Sequence, residues 1–563
     1  MNQYIGGPRE ESNLFVSPGF NLPGACAKSG GGLKLMTQTT TLKKIGFASF
    51  IMMASVFASR IIGLARESAI AWVGGASFYT DAYQVAFIIP EILNHVVASG
   101  FLSITFIPIF TRYISKGEET KGFKVFSNIF NCFGLLLLGL ILISMVFAPS
   151  LVRILAPGMA DGPGFDLAVE MTRIIVPAQF FFFSGGLFMA VQFTREKFFI
   201  PAMAPLIYNA GIILGGVILE PVMGIKGFAW GVLGGAFAGN FALQLFGAYR
   251  CGLRYYPLFN PRHREFIRYL ALTLPLMLGL TMTFSTEILM KFFGSFLAEG
   301  SIAAMNFAIR IMFILVGFFG QAVGQASFPY MARLAADQDM DQLNHVINQT
   351  LKFILLVLPF SVLFMVVRQE VVFILFQRGA FDATDAALTA GVLPWFLAGA
   401  FAFSAQTIVS RGFFSVQNTL FPALFSSLCV ILSLPLIYTG MHFFGIHGVA
   451  FTLSLSVVLT TGLLYEAWNR KSKNTGKKQV YLFFMKLAGL SLVSGLILEI
   501  LHRWLVRLIV PDHLGPALMI CIIMGLVFCA GILVMGQVMN IQEIRILFKK
   551  LQARIWPWAN KTN

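Results

Sequence analysis

Eight ionisable side chains lie inside stretches otherwise apolar enough to dissolve in lipid: Arg60, Arg66, Glu67, Asp81, Glu91, Glu287, Lys291 and Arg310. Each such group costs at least ~2.5–3.5 kcal/mol at the centre of a bilayer, so it belongs on a face that lines a cavity or meets a partner. Three of them share the stretch SRIIGLARESAIAWVGG, Ser59–Gly75. Arg60 falls fifteen residues past Ile45, roughly 22 Å along a helix, too deep to snorkel comfortably to the near interface. Arg66 and Glu67 are close enough to the far interface for plain anchoring to compete with a cavity role. Arg60 and Glu67, seven apart, share one helix face, and Arg66 is turned away by about 120°. Asp81 opens the next span, where it either caps a helix or pairs with an arginine of the first. Glu287 and Lys291, at i and i+4, are placed to neutralise each other. The basic groups come from the leading spans of the two chain halves. A cavity where they converge suits a strongly anionic headgroup, because the guanidinium fork matches phosphate oxygens.

Other chemistries leave no trace. The chain has no GxxxxGK phosphate loop, no HExxH or GxSxG, and no paired-Asp motif for a diphosphate-bound metal,. A voltage sensor needs arginine at every third position, and only two occur here. The six cysteines are dispersed without CxxC spacing and read as small core hydrophobes,. Histidines are scattered near span ends. No catalytic residue, metal site or cofactor is therefore assigned, and the chain reads as a non-enzyme.

The elements that must hold these groups are membrane helices. Of 563 residues, 57% are hydrophobic and 12% charged, against about 25% charged in soluble domains. Apolar runs recur from Ile45 to Gln537 and predict an all-α polytopic membrane protein of fourteen spans. These are 45–73, 80–111, 125–149, 166–193, 200–219, 227–249, 267–294, 300–331, 346–367, 387–414, 420–440, 446–468, 480–502 and 515–538. The net charge of +16 does not indicate nucleic acid, because the basic residues cluster in short loops. Counted by loop, one side carries 18 Lys and Arg and the other 6, which places both termini in the cytoplasm. Residues 1–35 are polar, rich in Gly, Ser and Pro, and lack a signal-peptide core,. They read as a disordered tail, or as sequence upstream of a start at Met36.

The spans form a repeat. Pro108 and Pro329, Arg112 and Arg333, Gly158 and Gly379, Asp161 and Asp382, Pro201 and Pro422, and Ala202 and Ala423 are each 221 apart. Local wording agrees, as in FIPIFTR against SFPYMAR. An even number of spans per unit makes the halves parallel repeats about an axis along the membrane normal, an arrangement of alternating-access transporters. The expected organisation is a cytoplasmic tail at 1–42, an N-lobe of six helices at 43–249 and a C-lobe of six at 250–468. Two further helices at 469–540 and a basic cytoplasmic tail at 541–563 complete it.

SRIIGLARESAIAWVGGASFYTDAYQVAFIIPEIL, followed by GFLSITFIPIFTRY, resembles the opening of the MurJ/MviN family of lipid II flippases, within the multidrug/oligosaccharidyl-lipid/polysaccharide exporter superfamily. TREKFFIPAMAPLIYN, EGSIAAMNFAIRI, LFQRGAFDATD and SRGFFSVQNTLFPAL extend the resemblance over residues 43–540. It implies two six-helix lobes around a cationic cavity, with the last two helices forming a groove for a lipid tail. It implies transport of undecaprenyl-diphosphate-linked peptidoglycan precursor to the outer leaflet of the bacterial inner membrane, for cell-wall synthesis. By position, Arg60, Arg66, Asp81 and Arg310 match residues that the family uses in the cavity, and Glu67 stands where the family often has Asp. Lys291 is counted with them as a substrate contact. Where many members place a basic pair after the proline of the second span, this chain has Asn94 and His95, and Ile309 stands where an acid is common. These departures keep open a flippase for another polyprenyl-diphosphate-linked saccharide. A drug/cation antiporter of the superfamily fits less well, since it calls for an acidic cavity. Expected partners are the lipid-linked glycan, membrane lipids and cell-wall synthesis enzymes. The energy source, an ion gradient or the membrane potential, is not encoded in any motif.

Overall fold

The computed structural model describes residues 31–94, 106–281 and 285–538, and every regular element among them is a helix. The chain divides into two compact units, 1–51 and 52–563. In the first unit the described residues are helical from Gly31, the start of α1 (Gly31–Gly74). The helix thus begins upstream of the boundary at 42 expected for the tail. Leu33, Lys34, Leu35 and Met36 are good helix formers, which explains the earlier start. Residues 1–30, His95 and the basic tail at 541–563 lie outside the described residues.

The second unit holds two runs of helices. The first comprises α2 (Phe78–Ala86), α3 (Ile88–Leu93), α4 (Ile107–Ser115), α5 (Glu119–Val146), α6 (Ala148–Leu155), α7 (Gly164–Ile175), α8 (Ala178–Thr194) and α9 (Phe199–Met223). It ends with α10 (Lys226–Gly235), which continues through a π-helical stretch, Ala236–Ala242, into α11 (Leu243–Arg250). The second run is α12 (Arg264–Thr281), α13 (Ser285–Gly294), α14 (Ser301–Val316), a π-helical stretch Gly317–Gln321, α15 (Ala322–Ala336), α16 (Met340–Leu355), α17 (Val357–Val366), α18 (Arg368–Phe376), α19 (Ala383–Ser415) and α20 (Leu420–Ser472). Helices α21 (Lys477–Leu508) and α22 (Leu514–Val538) follow. Ten helices among the described residues are long and apolar enough to cross a membrane. The 53-residue α20 turns back on itself at Gly445, so it accounts for two predicted spans.

Several spans read as continuous are broken. The span 80–111 divides into α2, α3 and α4, with 95–105 outside the described residues. Proline explains some of the breaks, since its ring fits the first helical turn and not the interior: Pro149 opens α6 and Pro108 opens α4.

The duplication is written in the backbone. Left-handed φ values occur at Gly117 and Gln338, Glu196 and Gln417, Gly224 and Gly445, and Gly252 and Lys473, each pair 221 residues apart. The match extends to detail, with φ 55° and ψ −138° at Gly224 and φ 54° and ψ −132° at Gly445. Both mark a hairpin of tightly packed helices. Gly211 and Gly215 of α9 lie against Gly235 and Gly231 of α10, and Gly440 lies against Gly448 across the α20 turn. Small residues at four-residue spacing let helix backbones meet without side chains between them, which is how helices associate where lipid offers no hydrophobic drive.

Each run also pins the linker that leaves it. Asn128 of α5 bonds the backbone of Asn260 through both its amide atoms, and Asn131 donates to the Leu258 carbonyl. In the second run Asn348 of α16 binds the side chains of Asn474 and Tyr465, while Asn344 accepts from Trp468 Nε1. Between these ends the core of the first run is a phenylalanine stack, with Phe106, Phe110, Phe123, Phe126 and Phe133 almost fully buried. Outward faces, above all on α20, α21 and α22, expose Leu, Ile and Phe, as lipid-facing helices do.

Candidate functional site

Helices α1 and α14 lie side by side and antiparallel, and the charged residues predicted from sequence meet along that seam. Glu67 of α1 is 3% exposed. Its Oε1 accepts from Arg66 Nη2 at 2.6 Å and lies 3.9 Å from Arg310 Nε, and its Oε2 accepts from Asn306 Nδ2 at 3.4 Å. One carboxylate therefore bridges a guanidinium from each chain half. Arg66 reaches on to Asn209 Oδ1 of α9 at 3.1 Å. The expectation that Arg66 turns away from its neighbour is met only at Cβ: the long side chain curls back onto Glu67. About two turns along α1, Arg60 donates to Gln321 Oε1 at 2.6 Å. Its guanidinium lies against Gly317, where a Cβ would collide with it.

Arg310 is held in a fork, with Nη1 3.3 Å from Glu287 Oε1 and Nη2 3.2 Å from Glu287 Oε2. Lys291, with no solvent exposure, donates to Glu91 Oε2 of α3 at 3.1 Å. Rather than neutralising only each other, Glu287 and Lys291 each bridge to another helix. A side chain on one turn of α13 finds better-aligned oxygens on a packed neighbour than on its own helix surface, where i,i+4 pairs contribute only ~0.2–0.5 kcal/mol. The Nε atoms of Arg66 and Arg310 and Oδ1 of Asn306 are buried without a hydrogen-bond partner, so the cluster keeps two donors and one acceptor in reserve.

Asp81 stands apart from the arginines. It is 5% exposed, and its two oxygens accept from the backbone N–H groups of Gly300 and Ala303, both at 2.7 Å. It does cap a helix, as expected, but the helix is α14 of the other half and not its own. Gly300 adopts φ 81° to begin that helix, and the carboxylate satisfies amides that α14 cannot bond internally. Around this end the halves interlock further. The Ala76 N–H donates to Asp385 Oδ2 at 2.8 Å, the Ala380 N–H to the Trp72 carbonyl at 2.8 Å, and the Gly158 N–H to Ser295 Oγ at 3.1 Å. At the opposite end Arg112 of α4 pairs with Glu265 of α12 at 2.7 Å.

Asn94 terminates α3 and is half-buried. The structure thus brings Arg60, Arg66, Glu67, Arg310 and Lys291 onto one four-helix wall and assigns Asp81 to the end closure. Residues not singled out as contacts are Glu91, Glu287, Asn209, Asn306 and Gln321. Asn306 is within reach of pattern reading, since it precedes Arg310 by one helical turn.

The family model described as lipid II flippase MurJ matches residues 70–515. A relative from Burkholderia cenocepacia, named lipid II flippase MurJ, is 27% identical over 77% of this chain and 86% of its own length. One from Vibrio cholerae, named probable lipid II flippase MurJ, is 24% identical over 84% of this chain and 92% of its own. Among solved structures, a lipid II flippase MurJ in an inward closed conformation superposes with a TM-score of 0.71, at 22% identity, over 87% of this chain and all of that one. An inward-facing multidrug resistance MATE transporter gives 0.60 at 14% identity, over 75% of this chain and 95% of that one. With a family model spanning most of its length, the chain belongs to the MurJ lipid II flippase family.

Proposed function

We propose that this protein moves undecaprenyl-diphosphate-linked peptidoglycan precursor, lipid II, from the inner to the outer leaflet of the bacterial cytoplasmic membrane by alternating access. The observation that carries the reading is the seam of α1 and α14, where Arg66 of one half and Arg310 of the other meet at Glu67, with Arg60 about two turns away on Gln321 of the π-helical stretch that follows α14. Guanidinium groups contributed by two halves grip an anion in a way that depends on how the halves are set, which is what a carrier needs: a ligand shifts such an equilibrium only by its differential affinity for the two settings. With both termini in the cytoplasm, the end closed by Asp81, Asp385 and Trp72 faces outward and is the gate through which the headgroup leaves. The polyprenyl tail stays in lipid beside α21 and α22, and cell-wall synthesis enzymes take the product. The work is translocation without bond chemistry, driven by an ion gradient or the membrane potential. Residues 43–249 and 250–468 act as the two lobes.

A second reading, a flippase for a different polyprenyl-diphosphate glycan, is favoured by one observation. Asn94 stands where a basic residue is common in the family, and the extra cation comes instead from Lys291 on α13.

Complementation decides between them. Expression of this chain in cells depleted of their lipid II flippase is expected to restore outer-leaflet lipid II. Failure of a well-expressed protein to do so overturns the leading reading. Arg60→Ala and Arg310→Ala are expected to abolish rescue at unchanged protein level; activity in both variants removes the arginine seam from the mechanism.

A further inference from the structure

The seam is less cationic than a row of arginines implies. Among the described residues, four cations, Arg60, Arg66, Arg310 and Lys291, face three carboxylates, Glu67, Glu91 and Glu287. The surplus is a single positive charge, and it belongs to Arg60, whose partner is the neutral Gln321. A diphosphate diester is a dianion. It cannot be held by groups whose charge is already balanced unless some internal pair opens.

The pairs differ in how readily they open. Glu67 is 3% exposed and is anchored at 2.6 Å by its own neighbour on α1. The Glu287 fork on Arg310 is longer, at 3.2 and 3.3 Å, than the 2.7–2.9 Å of a tight charge-assisted pair. Glu91 is 28% exposed on its side chain while the Lys291 it holds is fully buried. Two carboxylates, one from each half, thus sit on the very donors that an incoming phosphate would use. The fork of Glu287 onto both Nη atoms of Arg310 has the bidentate geometry that a phosphate adopts on arginine.

We propose that Glu287 and Glu91 are built-in counter-anions: they neutralise Arg310 and Lys291 in the headgroup-free carrier and are exchanged for the diphosphate when it binds. This rests on the reading of the seam as a diphosphate site and adds a role for two residues outside it. The physical need is the return stroke. A carrier that changes its facing without cargo must pass through a closed arrangement, and closing over unpaired buried cations carries a heavy desolvation penalty. Carboxylates that step in when the cargo leaves lower that cost. Their presence also weakens cargo binding, which aids release. Glu287 and Glu91 are positioning residues in this scheme, acting through Arg310 and Lys291.

The test uses the full-length protein in detergent and inorganic pyrophosphate as probe, so that it does not depend on which lipid carries the diphosphate. Glu287→Gln is expected to tighten pyrophosphate binding about tenfold, equal to ~1.4 kcal/mol. In Glu91→Gln, which leaves Lys291 buried without its carboxylate, pyrophosphate is expected to raise the melting temperature by more than it does in the parent. In liposomes carrying lipid II, Glu287→Gln is expected to lower KM and kcat together, and Glu287→Asp to restore kcat. A merely structural role would lower kcat without tightening the pyrophosphate complex. Unchanged or weaker pyrophosphate binding in folded Glu287→Gln, or a kcat equal to the parent's, overturns the proposal. If pyrophosphate binding tightens but lipid II is not moved by the parent protein, the counter-anion assignment stands and the lipid II reading falls.

Discussion

A fully buried ammonium is the sharpest commitment made by any single residue here. Lys291 has no exposed surface and one carboxylate, Glu91, at 3.1 Å. Removing one partner of such a pair strands the other charge, whereas removing both is often tolerated. Glu91→Gln alone is therefore the costly change, and Lys291→Met alone is milder because Glu91 keeps some access to solvent. We expect Glu91→Gln to cost about 3 kcal/mol, and the double variant Lys291→Met/Glu91→Gln to recover most of it; thermal unfolding in detergent measures both. The identities of the buried charges are legible in the sequence because apolar surroundings make them conspicuous. Their partners are not. Helical periodicity pairs Glu287 with Lys291, and only the packing of α3, α13 and α14 shows that each crosses to another helix. Asp81 repeats the lesson: its type and place mark it as a cap, but the helix that it caps begins at Gly300, more than two hundred residues away.

Helix boundaries are legible wherever proline, glycine or a basic loop interrupts an apolar run, and the paired hairpins show why. The chain reverses at Gly224 and at Gly445 with φ near 55° and ψ near −135°, a conformation open to glycine and strained for any residue with a Cβ. Space is not the constraint, since a Cβ at Gly445 would meet nothing within 4 Å. Gly445→Ala is therefore expected to destabilise by ~1–3 kcal/mol through backbone strain alone. Gly462→Ala, on the same helix with equally open surroundings and ordinary helical φ, is expected to be neutral or slightly stabilising. A matched loss in both variants, read by denaturation midpoint, would show that side-chain crowding and not dihedral strain is at work. The sequence hides the breaks within α2 to α4 and between α5 and α6. There hydropathy stays high across the interruption, and an apolar average cannot register a change of helix direction.

Among the described residues the polar contacts that join the two halves include the α1–α14 seam, the Lys291–Glu91 pair, the contacts at the end carrying Asp81 and Asp385, and the Arg112–Glu265 pair at the other end. In the proposed carrier cycle, contacts of this kind made in one facing are given up in the next. The repeat itself is legible as six identities at one spacing, while its depth is not, since residues of different type occupy the same left-handed backbone. Gln338 and Lys473 hold φ 57° and 52°, while their counterparts are Gly117 at 72° and Gly252 at 85°. The protein in effect supplies its own second opinion: where one half has found the residue that fits a turn without strain, it names the improvement still open to the other. A left-handed conformation costs a residue with a side chain roughly 1–2 kcal/mol, offset in part by the larger unfolded-state freedom of glycine. Gln338→Gly and Lys473→Gly are expected to raise stability by up to about 1 kcal/mol each, visible as additive shifts in unfolding midpoint. Borrowed in this way, one half becomes a design manual for the other.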